Sequence, residues 1–282
     1  MVMKSKSFTQ TILMIFACVW MMLIILCARP VYASNTTQSP RTATIYLHGY
    51  NGWSWTMSNL IKSAQKTGLV KDKMIATVNR QGKIHFSGNW PANQNQCLVQ
   101  VIFKKNNTFQ ACQAKWLTGI LKELKTRYHA TDYNGVGHSL GCNVLLNEAL
   151  WYGHKKDLPK LQKLVMVAGP FNGVLWLDDE ANKNALNKLG APAIMNAIYL
   201  NLYHLRDRFP RNVKVLNITG NLDNGSNSDQ YVSLPSSKSL KFLLNGVAKS
   251  YKNLEFYGKN AEHSQLHQNS KVMKAINNFL WG

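Results

Sequence analysis

Residues 137–141 read Gly-His-Ser-Leu-Gly, a serine with a glycine two places away on either side. This pattern fits a strand that turns into a helix so sharply that the flanking positions have no room for side chains. Ser139 is then forced into a strained conformation that exposes its hydroxyl. At ordinary glycine and serine frequencies a chain of this length shows the pattern by accident about 0.1 times, so the neighbouring residues carry weight. Tyr133–Val136 can end a strand, and the run from Asn143 to Leu150 puts Val144, Leu145, Leu146, Ala149 and Leu150 at core-facing helical spacings. A chain built around this turn has to supply a buried strand before it and a buried helix after it.

The 282 residues are 45% hydrophobic and 16% charged, which suits one sizeable α/β domain, expected over residues 42–282. Residues 1–33 are set apart. Lys4 and Lys6 form a short positive start, Thr11–Ala28 is almost wholly apolar, and Val31-Tyr32-Ala33 offers small residues where a signal peptidase reads. Cleavage before Ser34 is the expectation, with an uncleaved membrane anchor as the competing reading. Either way the domain is exported to the cell surface or beyond. Residues 34–41 are polar and read as a linker.

The whole chain carries +20, and taking away Lys4, Lys6 and Arg29 leaves +17, since the first 33 residues hold no acid. For an exported protein this charge points to anionic envelope polymers as partners. No basic run is interleaved with aromatics, so nucleic acid is not expected. Cys97, Cys112 and Cys142 remain after cleavage, too few for a disulfide framework. If Cys97 opens a strand and Cys112 the following helix, about 20 Å of strand separates them, which disfavours a bridge. No Cys/His spacing suggests a metal site.

Strands are expected at Thr42–Leu47, Met74–Val78, Lys83–Phe86, Cys97–Phe103, Leu164–Ala168, Val213–Thr219 and Leu254–Tyr257. The second and third should form a hairpin about Arg80-Gln81-Gly82. Helical spacing fills Trp55–Lys66 and Ala114–Tyr128. Strands separated by helices call for a doubly wound, mostly parallel sheet. The segment from Phe171 to Asn212, rich in Leu, Ile and Tyr, occupies the position of a lid.

A serine hydroxyl needs a base, and the base an acid that fixes its tautomer. After a nucleophile elbow the chain order acid then histidine is expected. Asp223 and Asp229 follow one strand, His263 and His267 follow the last, and Asp178 and Asp179 lie earlier. The backbone amides of Tyr50 and Leu140 are the oxyanion-hole candidates. His48 reads as a loop-holding residue and His138 as a packing neighbour of the nucleophile. Trp53, Trp55 and Trp176 are candidates either for an acyl pocket or for the core.

Four motifs then occur in order: His48-Gly49-Tyr50-Asn51-Gly52; the Gly-His-Ser-Leu-Gly elbow; Ser228-Asp229 with Val232 and Ser236-Ser237; and His263-Ser264-Gln265-Leu266-His267. Together, from about Thr42 to Trp281, they resemble an uncharacterised family of exported, lipase- and esterase-like α/β-hydrolases of Gram-positive bacteria. The resemblance implies an α/β-hydrolase fold and a Ser139-Asp229-His263 triad, but no substrate. Many relatives carry a further glycine where this chain has Cys142. The function expected is an exported serine hydrolase that cleaves carboxylic esters through an acyl-enzyme, with no metal or organic cofactor. An acyltransferase uses the same triad, and a catalytically idle envelope-binding module is the alternative of another class.

Overall fold

Nearly every residue of the central strands is buried, as a sheet covered on both faces requires. The computed structural model describes residues 39–282. The expected signal segment 1–33 and all but the end of the expected linker lie outside the described residues. The strands are β1 (Thr42–Leu47), β2 (Lys73–Val78), β3 (Ile84–Gly88), β4 (Gln96–Phe103), β5 (Asp132–His138), β6 (Lys160–Val167), β7 (Lys214–Asn221) and β8 (Ser250–Tyr257). They form one sheet in the order β3-β2-β4-β1-β5-β6-β7-β8. Only the β2–β3 hairpin is antiparallel. Its turn is closed by Asn79 N donating to Lys83 O at 2.9 Å, with Gly82 at a positive φ of 85°.

Alternation within the strands splits the core in two. Ile45 and Leu47 of β1, Val99 and Val101 of β4, and Leu164 and Met166 of β6 face α2 (Gln110–Tyr128) and α3 (Leu140–Trp151). Tyr46, Leu98, Val165 and Val167 face the other way, onto α1 (Ser58–Lys66) and α7 (Ser270–Trp281), while the short α5 (Leu234–Lys238) and α6 (Leu240–Leu244) follow β7. Each fully buried aliphatic side chain contributes about 1.5–3 kcal/mol, so sliding any strand by one residue would forfeit both layers at once. The chain first crosses from β1 toward β2 and later returns to lay β5 on β1's other side. Loops after β1 and β5 therefore diverge at a switch point, where ligands of such sheets bind.

Three local expectations are revised. The helix expected from Trp55 starts only at Ser58, because Thr56 N and Ser58 N bond back to Trp53 O and Trp55 O in successive turns. Of the lid-position segment, α4 (Ala197–Leu205) and a 3₁₀ turn at Arg206–Arg208 are helical. Tyr199 of α4 is buried, its hydroxyl donating to Ser239 O at 3.0 Å, so this helix belongs to the body of the fold. Residues 171–196 are irregular and are held instead by asparagine side chains. Asn184, for example, accepts from Ile194 N and donates to Ile194 O. Arg41, the last residue of the expected linker, is buried over Trp90 and donates to the carbonyls of Tyr128, Pro91, Ala92 and Gln94. Four acceptors offset the cost of taking that guanidinium out of water. Cys97, Cys112 and Cys142 are all free thiols.

Candidate active site

Ser139 lies between β5 and α3 with φ 55° and ψ −126°, a conformation that costs a non-glycine residue of order 1–3 kcal/mol. The glycines around it leave no alternative. A Cβ on Gly137 would come within 2.8 Å of Cys142 N, and one on Gly141 within 2.5 Å of Leu47 O. Gly49, from the loop after β1, approaches the nucleophile itself, since a Cβ there would lie 2.7 Å from Ser139 Cβ. Cys142 sits in α3 against Gly169, where a Cβ would come 3.0 Å from its own Cβ. The extra atoms of Cys142 are thus taken up on the β6 side, away from the triad candidates.

The loop after β7 carries Asp229, 1% exposed. Its Oδ1 accepts from Tyr231 N at 3.0 Å and Val232 N at 2.7 Å, and its Oδ2 accepts from His263 Nδ1 at 2.9 Å. His263 N also donates to Asp229 O at 2.9 Å, so backbone and side chain are tied together. With Nδ1 engaged as donor, Nε2 of His263 is the nitrogen left to accept a proton. Asp178 and Asp179 are committed elsewhere, Asp178 to Val174 N and Asn196, Asp179 to Glu180 N and Ser233. Asp223 does not bond either histidine.

Two further histidines, His48 and His138, are buried, and the second touches this pair. His48 Nε2 accepts from Phe103 N at 3.1 Å, so its Nδ1 carries the proton and donates to Gly49 O at 2.8 Å. Burial lowers its pKa and keeps it neutral. His138 Nε2 donates to His263 O at 2.9 Å, and its ring lies 4.8 Å from that of His263. Burial, and then the neighbouring His263 and His267, hold His138 well below the ordinary histidine range. His267 is brought down to about 4 by burial and by His263. It has no carboxylate partner, which leaves it poorly suited to hold a proton at neutral pH.

Ser139, His138, His263 and His267 all line one cleft of about 620 Å³. Tyr50 and Leu140 also line it, and their backbone N–H groups have no acceptor among the described residues. Ser139 Oγ makes no hydrogen bond there either, and such contacts commonly tighten only when substrate is bound. The lining combines apolar side chains, Trp55, Val174, Leu177 and Tyr231, with the polar Ser264, His267 and Gln268. Trp55 is 69% exposed, so it belongs to the cleft and not to the core. Trp53 stacks on Trp55, while Trp176 meets the edge of Tyr231 outside the lining. Sequence reasoning passed over Val174, Leu177 and Tyr231. The signal for Tyr231 was its place two residues after Asp229, inside the turn that caps the carboxylate. Among the described residues no cluster of His, Cys, Asp or Glu is arranged to hold a metal ion.

Residues 32–282 match the model of a family described as alpha/beta hydrolase of unknown function (DUF915). Among solved structures, the lin2722 gene product of Listeria innocua is 26% identical with a TM-score of 0.77, covering 86% of this chain and 94% of that one. A candidate cell surface hydrolase from Lactobacillus plantarum is 22% identical with a TM-score of 0.69, covering 86% and 90%. Est1E from Butyrivibrio proteoclasticus, 15% identical with a TM-score of 0.49 over 87% and 89%, is too distant to bear an argument. No curated protein matches the sequence.

Proposed function

The chain belongs to this family of alpha/beta hydrolases, and from that premise we propose that it is an exported serine hydrolase that cleaves carboxylic esters. The observation that carries the reading is the 2.9 Å bond between His263 Nδ1 and Asp229 Oδ2, beside a serine at positive φ and two amides without acceptors. His263 Nε2 takes the proton of Ser139 as Oγ attacks the ester carbonyl carbon. The oxygen that becomes negative is received by Tyr50 N and Leu140 N, fixed donors that need no reorganisation at that moment. His263 then returns the proton to the alkoxide as the C–O bond breaks, leaving an acyl group on Ser139. Water, deprotonated by the same histidine, attacks the acyl carbon and frees the acid and the serine. Asp229 accepts from Nδ1 and holds the imidazole in its tautomer.

His138 acts as a positioning residue in this reading. Its donation to His263 O holds the backbone that carries the base, and its neutrality keeps a second positive charge away from the imidazolium. Export is part of the proposal, supported by the charged start, apolar run and small residues of segment 1–33. The L. plantarum protein's description as a candidate cell surface hydrolase agrees with it. Retention on anionic envelope polymers follows from the charge.

Labelling by a fluorophosphonate probe tests the chemistry, because such probes react with an activated serine. The parent protein should label and turn over short-chain esters, and Ser139→Ala should lose both by several orders of magnitude. Residual turnover within about tenfold of the parent would remove Ser139 from the role.

A further inference from the structure

The chemistry of ester cleavage says where the alcohol sits. His263 Nε2 hands its proton to the departing alkoxide, so the alcohol lies against the imidazole, and cleft groups that touch His263 are the ones it meets. Tyr231 is such a group. It lines the cleft, and its ring centroid is 5.4 Å from that of His263 at a tilt of 56°. Its backbone is engaged on both sides, Tyr231 N donating to Asp229 Oδ1 at 3.0 Å and Tyr231 O accepting from Leu175 N at 2.9 Å. The ring is thereby fixed beside the base while the residue stays 44% exposed.

Trp176 continues this surface outward. Its indole meets Tyr231 edge-on, with 6.1 Å between centroids at 88°, and is 78% exposed. Trp176 also has φ 66°, an outlier for so bulky a side chain. Gln230, at φ 93°, is strained too, but its turn serves to cap the Asp229 carboxylate. No such duty explains Trp176. Its neighbours fix the turn around it: Leu177, Asp178 and Asp179 N all donate to Val174 O, and Asp178 Oδ1 accepts from Val174 N. Ser233 Oγ, on the loop that carries Asp229, donates to Asp179 Oδ2. A strained turn tied to the loop of the catalytic acid thus holds an indole in solvent. A large apolar side chain placed so, with no packing to offset the strain, has its partner outside the protein.

The rest of the cleft narrows what that partner is. Among the described residues no lysine, arginine, aspartate or glutamate lines it, which suits an uncharged alcohol. Aromatic faces take up flat apolar surface, yet Ser264, next to the base, and Gln268 line the same cleft with side chains that hydrogen-bond to nothing among the described residues. A purely apolar alcohol would leave those groups unpaired. A sugar ring meets both demands, with C–H groups on its faces and hydroxyls around its rim.

We propose that Tyr231 and Trp176 form the leaving-group subsite and that the alcohol is a sugar, so that the substrate is a carbohydrate esterified on a hydroxyl. The inference rests on the ester-hydrolase reading and deepens it by naming the alcohol. His263 Nε2 protonates the sugar oxygen as its bond to the acyl carbon breaks, the sugar departs along the aromatic pair, and water takes its place for deacylation.

The test uses three acetate esters of primary alcohols on the full chain. One is methyl glucoside acetylated at its primary hydroxyl. The second is cyclohexylmethyl acetate, whose ring is of the same size without hydroxyls. The third is methoxyethyl acetate, acyclic, with an ether oxygen that copies the electronic effect of the sugar's ring oxygen. The sugar ester is expected to show a kcat/KM about tenfold above the other two, the order of one aromatic contact. Tyr231→Ala should bring the ratio of sugar to acyclic ester close to one, and Tyr231→Phe, which keeps the ring, should restore it. Trp176→Gly should lower the ratio about threefold, while thermal unfolding shows a fold at least as stable as the parent, since glycine accepts a positive φ and an exposed indole gives up little packing. These losses should fall on acetylation of Ser139 and not on hydrolysis of the acetyl-enzyme common to all three esters, because the alcohol has left by then. A loss shared equally by the two steps would make the pair a structural prop and overturn the subsite. Equal kcat/KM values for the three esters would overturn it as well, and so would a preference for the cyclohexylmethyl ester, which would mark a surface for apolar or lipid alcohols. A protein that takes the fluorophosphonate label and turns over none of the three refutes the sugar assignment alone; one that does neither refutes the hydrolase reading.

Discussion

Glu148 lies in the third turn of α3, wholly buried, with Tyr133 OH 2.5 Å from its Oε2 and no partner for Oε1. Burial raises its pKa from 4.5 to about 7, only partly opposed by the Tyr133 hydrogen bond. Between those two values the native state keeps a proton that the unfolded chain gives up, so stability is highest below about pH 4.5 and falls as pH rises toward 7. At about 1.4 kcal/mol per unit the loss amounts to about 3 kcal/mol, complete above the folded pKa. Glu148→Gln removes the ionisation while keeping shape and an acceptor for Tyr133. The unpaired amide hydrogens it introduces cost a fixed amount that does not vary with pH. Urea unfolding of both proteins at steps from about pH 5 to about pH 8 should therefore give a stability difference that moves in favour of the variant by up to about 3 kcal/mol across the window. A difference that stayed flat with pH would mean that Glu148 ionises in the folded protein as it does in the unfolded one, and the burial argument would be wrong.

The two cleft histidines should separate sharply. His263→Ala is expected to lower ester turnover by several orders of magnitude, with Asp229→Ala adding little on top because the members act as one unit. His267→Ala, lacking a carboxylate partner, should cost far less, and the reverse order of severity in steady-state kinetics would move the base to His267. N-terminal sequencing of protein recovered from culture should begin at Ser34 or within a few residues of it, whereas an intact start in the membrane fraction would favour the anchor.

Local rules carried much of the architecture. A glycine has no substitute where a Cβ would strike Leu47 O or Cys142 N, so the elbow at Ser139 could be read from five residues. The β2–β3 hairpin followed from alternation about Arg80-Gln81-Gly82. What local rules missed were features that depend on competition between side chain and backbone. Trp55 fits a helical face by spacing, yet turns at Trp53 and Trp55 delay α1 and leave the indole in the cleft. Residues 171–196 carry apolar groups at no usable period because asparagine side chains, through long-range bonds, do the work of a backbone ladder there.

The candidate site divides the same way. Residue type, order along the chain and the space demanded by a sharp turn are properties of a segment, and they sufficed to nominate Ser139, the loop after β1, and an acid followed by a histidine. The choice of Asp229 over Asp178, Asp179 and Asp223 rested on resemblance to a family, because each of these acids sits in a loop and nothing in a one-dimensional string says which loop meets which. Folding brings Asp229 to His263 and commits Asp178 and Asp179 to other partners. The neutrality of His138 and His267, and the gathering of Trp55 and Leu177 with Ser264 and Gln268 in one cleft, likewise arise between residues far apart in the chain. Burial and electrostatic proximity are sums over neighbours in space, and only the packed sheet supplies those neighbours.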